Sequence, residues 1–496
     1  MTLDADPCPA NCFQMGPNTL RISRSNLHGK LREKFVKAML ARAGGSAEAL
    51  GVVLLQGGGP AHIYNTDMEG LFRQESYFHY LFGVEVEDYF GAIDLQTGRS
   101  LLFMPRLPDS YAVWMGQIPG PDAMRTKYGV SEVHYVDEMA SVLQQLKPAA
   151  LHVLNGVNSD SGRRTQAASF EGMDEFNVDI SDTLFEVLME CRVHKTPEEL
   201  EVMRYANVIA SNAHIEVMRK CRPGLMEYAA ESIFLHDCYL LGGARFAAYT
   251  PICASGPNGA ILHYGHAGAP NNRQIADGDM LLLDMGCEYY RYASDITVSF
   301  PVNGRFTDDQ KVVYEAVLSA YTAVLQSIKP GVRWPDMQLL AERRLLTALA
   351  AGGFLKGSVE EMLEHRIAAL FMPHGLGHFL GLDTHDVGGY PKHGPPRIDK
   401  PGLRSLRTAR VLEEGMVITV EPGCYFNAYL LEPAFSDPVQ SKYLHKSRIK
   451  QFMGFGGVRL EDDVIVTAAG AESMTSVPRT VEEVEAVMAG GPWPAE

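Results

Sequence analysis

The chain has 496 residues, of which 46% are apolar and 21% charged, with a formal net charge of −16. That length calls for two domains or more, and the balance is that of a globular protein with sizeable cores rather than a disordered one. The excess of acid argues against nucleic acid as a general partner.

Residues 1–20 carry Pro7, Pro9, Gly16 and Pro17 with little periodicity, which predicts a loosely tied arm. Over 29–43, Leu31, Phe35, Val36, Met39 and Leu40 fall on one helical face. Val52-Val53-Leu54-Leu55 reads as a buried strand ending in Gly57-Gly58-Gly59. The lysine and hydroxyl of a phosphate loop are missing after these glycines, so a turn is expected. Further strands are expected at 88–94, 99–104 and 150–154. Residues 1–190 thus read as an N-terminal α/β domain with few candidate catalytic groups, and 181–197 as the junction to a domain spanning 191–496. There, Thr196-Pro197-Glu198-Glu199 marks a helix start: threonine caps, proline takes the first turn and acids follow. Helical patterns cover 198–221 and 226–241. Thr307-Asp308-Asp309-Gln310 is a capping box for the next helix, and Pro335 opens another that runs to about 351. No internal repeat is visible.

The eight cysteines form no CxxC pair, and Cys8 and Cys12 have no second ligand pair nearby, so free thiols in a reducing compartment are expected. The first thirty residues lack a basic start followed by an apolar core. No apolar run reaches the roughly 18 residues of a spanning helix, and no Asn-x-Ser/Thr acceptor occurs. A cytoplasmic location is expected.

Between and after the later helices lie short apolar strands, each carrying one anion. Asp284 ends Met280-Leu281-Leu282-Leu283-Asp284. Asp295 lies in Tyr292-Ala293-Ser294-Asp295-Ile296-Thr297-Val298. Glu421 closes Val417-Ile418-Thr419-Val420-Glu421, and Glu461 follows Val458-Arg459-Leu460. Asp284 and Asp295 are eleven apart, and a hairpin would bring them to one face. His374 and His378 belong to Pro373-His374-Gly375-Leu376-Gly377-His378, where glycine opposes a helix and lets backbone approach a site. His385 follows nearby, and Ile261-Leu262-His263-Tyr264-Gly265-His266 supplies two more imidazoles; His365 reads as a solvated side chain. Buried carboxylates without partners would cost several kcal/mol each. Bound divalent cations are an economical way to hold them together. Oxygen ligands with one imidazole suit Mn²⁺, Co²⁺, Fe²⁺ or Zn²⁺, and two ions balance four anions.

These segments resemble the pita-bread metallopeptidases, the group of methionine aminopeptidase, aminopeptidase P, creatinase and prolidase. Within it, Leu71-Phe72-Arg73-Gln74-Glu75-Ser76, Tyr264 to Asn271, His385 to Pro391 and Pro401 to Arg410 are similar to the prolidase (Xaa-Pro dipeptidase) branch. The likeness covers nearly all of the chain after about residue 30; the first 20 residues, 392–397 and the last ten look idiosyncratic. It implies an α/β N-terminal domain before a C-terminal pita-bread domain of antiparallel sheet and helices. It implies two divalent ions, Mn²⁺ foremost: Asp284 on one, His378 and Glu421 on the other, Asp295 and Glu461 bridging. It also implies His263 and His385 binding substrate and stabilising the oxyanion, His374 lining the pocket, Glu421 moving the proton, and Arg407 gripping the carboxylate of a C-terminal proline. A homodimer follows from the same likeness, with Trp114 reaching the partner's site. The expected activity is hydrolysis of Xaa-Pro and Xaa-hydroxyproline dipeptides. The alternatives are aminopeptidase P-like trimming of longer peptides, a metal-free amidinohydrolase of creatinase type, a non-catalytic metal-binding homologue and a mononuclear iron oxygenase.

Overall fold

The computed structural model describes residues 8–44 and 51–494. The chain divides into two compact units, Met1–Glu199 and Leu200–Glu496. In the first, six strands form one sheet in the order Glu132–Tyr135, Ser100–Met104, Phe90–Asp94, Val52–Gln56, Leu151–Val153, Val178–Asp179. The sheet is mixed: Val52–Gln56 runs antiparallel to Phe90–Asp94 and parallel to Leu151–Val153. Alternate residues Val52, Leu54, Phe90, Ala92, Leu101 and Phe103 share one buried core with Met139 and Leu143, as a period of two requires. The Gly57 turn closes on the Phe78 ring and the Tyr89 carbonyl, where a Cβ would meet atoms at 3.0 Å.

One expectation changes here. Residues 12–23 are tied down by a small antiparallel ladder of Cys12–Phe13 with Ile22–Ser23; residues 1–7 lie outside the described residues. The stretch 181–197 is mostly the helix Thr183–Val193, which buries Leu184, Val187, Leu188 and Val193. The first long helix, Arg24–Arg42, starts before its apolar pattern does because Ser23 accepts the Asn26 N–H as a cap.

The second unit repeats one order of elements. Helices Pro197–Lys220 and Glu227–Gly242 precede the ladder of Ile252–Ser255, Met280–Asp284 and Thr297–Pro301. Helices Asp308–Ser327 and Trp334–Ala351 precede the ladder of Val417–Val420, Asp462–Thr467 and Gly470–Ser473. All pairings in both ladders are antiparallel, with Asp284 opposite Thr297 and Val420 opposite Asp462. Each acidic residue stands at a strand end or break. Asp284 is a last residue. Glu421 separates Val417–Val420 from Gly423–Tyr425, and Glu461 separates Gly457–Arg459 from Asp462–Thr467.

Asp295 also lies at a break, where the sequence suggested an unbroken strand. The hairpin is two nested ones, with Cys287–Tyr289 and Tyr292–Ala293 paired inside the outer ladder. The reason is visible in the backbone. The Asp295 N–H donates to Asp463 Oδ2 at 2.9 Å instead of to a neighbouring strand. Gly286 backs directly on the Ser294 carbonyl, 1.8 Å from where a Cβ would stand.

No helix among the described residues is long and apolar enough to cross a membrane. All eight cysteines are free thiols, six of them buried. The Thr307 box is formed as read: Thr307 Oγ1 accepts the Gln310 N–H at 3.2 Å and Gln310 Oε1 accepts the Thr307 N–H at 2.9 Å. Thr307→Ala removes one of these bonds far from the carboxylates. It is expected to cost about 1 kcal/mol of stability and to leave turnover unchanged, which thermal melts and a peptide-hydrolysis assay check together.

Candidate metal centre

A cavity of about 590 Å³ opens in the second unit, within the size range of small-ligand sites. Asp284, Asp295, His378, Glu421 and Glu461 all line it, as do His263, His374, His385 and Arg407. The structure thus brings together every candidate site residue of this unit that the sequence singled out. Trp114 belongs to the first unit and is 84% exposed.

Period two explains how the strands aim their side chains. Thr297 is two residues beyond Asp295, Thr419 two before Glu421, and Arg459 two before Glu461, so each strand carries a polar side chain next to the break that holds a carboxylate. Thr297 Oγ1 donates to Glu461 Oε2 at 2.6 Å, and Thr419 Oγ1 to Glu421 Oε1 at 3.3 Å. Tyr249 OH donates to Asp284 Oδ1 at 2.6 Å, and Arg459 Nη2 pairs with Asp284 Oδ2 at 2.5 Å. Arg459 also donates from Nε to Thr297 Oγ1 and from Nη1 to Tyr425 OH. Asp462, between Glu461 and Asp463, points the other way, to Arg479 and Tyr321.

The histidine segment is held by the second ladder. Thr419 N–H donates to the His378 carbonyl, Glu421 N–H to the Leu376 carbonyl, and Phe379 bridges Ile418. Gly377 permits this, since a Cβ there would stand 1.9 Å from the Thr419 carbonyl. His378 Nδ1 is 3.0 Å from the Phe379 carbonyl, so it carries the proton, and Nε2 presents a lone pair. That nitrogen faces Asp295 Oδ2 at 3.3 Å and Glu421 Oε1 at 3.5 Å. Three acceptors converging without a donor require a cation between them or bound protons. Ligand atoms of Asp295, His378 and Glu461 all lie within 4.8 Å of one another, a spacing that could hold a metal ion.

The proton affinities agree. Burial raises the Asp295 and Glu461 carboxyls well above their ordinary 3.8 and 4.5, and the neighbouring carboxylates raise them further. Glu421 is raised as well, mainly by burial, against the pull of His378 and Arg459. Burial lowers His378, so the ring stays neutral and able to ligate. His374 is lowered to about 4 by burial and then by the Arg459 charge. Both its nitrogens are occupied, Nδ1 at the Gly375 carbonyl and Nε2 at Tyr425 OH, 2.9 Å away. It therefore lines the cavity in a fixed pose. His385 stands edge-on to His378, ring centres 4.5 Å apart.

The sequence reading missed Tyr249, Thr297, Thr419, Tyr425 and Asp463, and gave Arg459 no role. Four of these six stand two residues from a predicted ligand, and that spacing was a usable signal. Tyr249 and Tyr425 had none.

The donor set fits divalent cations, and likeness to known proteins agrees. The model of metallopeptidase family M24 matches residues 201–468, and that of the aminopeptidase P N-terminal domain matches 28–154. The chain belongs to metallopeptidase family M24. It is 54% identical over 478 residues to the Xaa-Pro dipeptidase of Mus musculus, covering 96% of each chain. It is 37% identical to a probable Xaa-Pro aminopeptidase of Sordaria macrospora, over 89% of this chain and 92% of that one. The solved structure of Pseudomonas aeruginosa aminopeptidase PepP superposes with a TM-score of 0.75 at 33% identity, covering 95% of this chain and 98% of the other. The fold is thus an aminopeptidase P-type N-terminal domain before a pita-bread catalytic domain. Membership of family M24 brings divalent metal ions with it, and the buried carboxylate–imidazole group is where this M24 peptidase can hold them.

Asp295 and Glu461 hold protons in the metal-free fold at pH values where the unfolded chain has released them. Metal-free stability therefore falls as pH rises above about 4, while ion binding, which needs the anions, strengthens. The gain in melting temperature on adding Mn²⁺ to chelator-treated protein is expected to widen from about pH 5.5 to about pH 8. A gain that is flat or shrinks with pH contradicts this account.

Proposed function

We propose that this M24 peptidase hydrolyses dipeptides with proline or hydroxyproline as the second residue, releasing the free imino acid. The observation that carries the reading is the 54% identity to an Xaa-Pro dipeptidase over 96% of both chains, against 37% and 33% for the aminopeptidases. Two divalent ions are assigned, Mn²⁺ ahead of Co²⁺, Fe²⁺ or Zn²⁺. Asp284 would hold one, His378 and Glu421 would hold the other, and Asp295 and Glu461 would serve both. When bound, the ions supply Lewis acidity that activates water and polarises the scissile carbonyl.

The chain's own groups do the rest. Glu421, whose carboxyl burial raises above its ordinary value, accepts the water's proton and passes it to the imide nitrogen, a poor leaving group until protonated. His263 and His385, held neutral chiefly by desolvation, donate N–H to the developing oxyanion. Proline has no amide N–H, so its pocket needs shape rather than an acceptor. Ile252, Leu262 and Pro373 supply apolar wall on the same cavity. Arg407 closes the site by gripping the carboxylate in a fork. We assign a homodimer and a cytoplasmic location as well, with the exposed Val113-Trp114-Met115 turn reaching the partner's site.

The aminopeptidase P reading predicts the opposite length preference. Purified enzyme is expected to cleave Gly-Pro and to spare Gly-Pro-Leu; cleavage of the tripeptide alone reverses the assignment. Chelation should abolish turnover and Mn²⁺ restore it. Arg407→Ala should lower kcat/KM for Gly-Pro by about 10- to 100-fold, the worth of a charged hydrogen-bond pair, with metal content unchanged.

A further inference from the structure

Two glycines close on the segment that carries Arg407. Gly375 lines the cavity beside His374, and a Cβ there would stand 2.8 Å from both Leu406 Cα and the Ser405 oxygen. On the other side, a Cβ at Gly389 would stand 1.9 Å from the Arg407 carbonyl oxygen. These neighbours are backbone atoms, so no side-chain rotation relieves the contact. We propose that Gly375 and Gly389 are specificity-determining residues: by letting two backbones clamp residues 405–407, they fix Arg407 at one dipeptide's length from the metal-binding carboxylates. The inference rests on the reading of Arg407 as the carboxylate grip.

The two walls of the clamp are not equally firm. The 376–378 backbone is anchored by three hydrogen bonds to two elements, the helix Trp334–Ala351 and the strand Val417–Val420. Leu376 N–H donates to Gln338 Oε1 at 2.7 Å, the Trp334 indole to the Gly377 carbonyl at 3.3 Å, and His378 N–H to Thr419 Oγ1 at 3.0 Å. Gln338 and Trp334 are fully buried. Residues 403–405 form a single turn of 3₁₀ helix with Arg404 and Ser405 exposed. The Leu406 carbonyl is held from outside by Tyr390 OH at 2.8 Å and Arg397 Nη1 at 2.5 Å. Under steric pressure from position 375 the Arg407 side yields, while the metal side holds.

Size then decides the outcome. Relieving a 2.8 Å contact to the ordinary 3.4–4 Å moves the segment by about 1 Å. An added residue needs roughly 3.3–3.6 Å of extended chain. A side chain at 375 therefore spoils the fit to a dipeptide carboxylate without making room for a tripeptide, and a 1 Å misplacement is worth up to about 100-fold.

The test is calorimetric binding to Mn²⁺-loaded enzyme, using proline, which carries the carboxylate, and prolinamide, which does not. Gly375→Ala is expected to weaken proline at least about 10-fold, to leave prolinamide and Mn²⁺ affinity unchanged, and to give no tripeptide cleavage. Gly389→Ala should do the same. Tyr390→Phe removes one strut on Leu406 with no steric change; it keeps the test alive if the glycine variants do not fold, and should weaken proline by a smaller factor with Mn²⁺ binding intact. Equal weakening of both ligands, a fall in Mn²⁺ affinity, or unchanged proline binding in a folded variant overturns the clamp. If Arg407→Ala itself leaves proline binding unchanged, the assignment of Arg407 fails instead, so the two failures are told apart.

Discussion

Four carboxylates sharing one buried space is the constraint on which the second unit is built. Asp284, Asp295, Glu421 and Glu461 meet in one cavity, where burial and neighbouring carboxylates raise the proton affinity of Asp295 and Glu461, and the buried guanidinium of Arg459 pairs with Asp284. Desolvating each anion costs several kcal/mol, and mutual repulsion adds to it. A fold that keeps such a group must supply positive charge from elsewhere. The family's divalent ions can do so, and the fold contributes the placement of the side chains that could hold them.

That geometry comes from broken strands. A continuous ladder would direct every second side chain across a sheet and use each N–H for a neighbour. Here the chain leaves the ladder at Asp295, Glu421 and Glu461, and the released groups are re-used. Asp463 takes the Asp295 N–H, and the Leu376 carbonyl takes that of Glu421. Thr297 then pins Glu461 and Thr419 pins Glu421 through their hydroxyls. Glycine appears where a second backbone must come close, as Gly286 does at Ser294 and Gly377 at Thr419. Orientation is thus fixed before any ion binds, which is what a metal ligand set needs from its surroundings.

A peptidase senses the length of its substrate through what bounds its cavity. In this chain the boundary nearest the histidine segment is the 405–407 backbone, packed against Gly375 with no space for a methyl group. The carboxylates and the cavity boundary thus come from different parts of the chain, the strand ends for the first and the segment of Ser405 and Arg407 for the second.

The residues that do chemistry were legible because their types conflict with their neighbours. An aspartate after three leucines, or a glutamate closing Val-Ile-Thr-Val, is costly in a core unless something binds it, and the glycines around His374 and His378 point to close approach. Helix starts at Thr196 and Thr307 are equally local, since a cap involves residues three apart. Other features depend on distant segments. The break at Asp295 is set by Asp463, 168 residues away. Tyr249 and Tyr425 look like any core tyrosine until the fold brings them to Asp284 and His374. The repeat of helix pair and ladder leaves no trace in residue identity, since many apolar sequences fill the same backbone. By itself the sequence determined which side chains could hold metal, because burial cost depends on residue type; only the tertiary structure decided which groups orient them and which backbone bounds their cavity, because those depend on contacts between segments far apart in the chain.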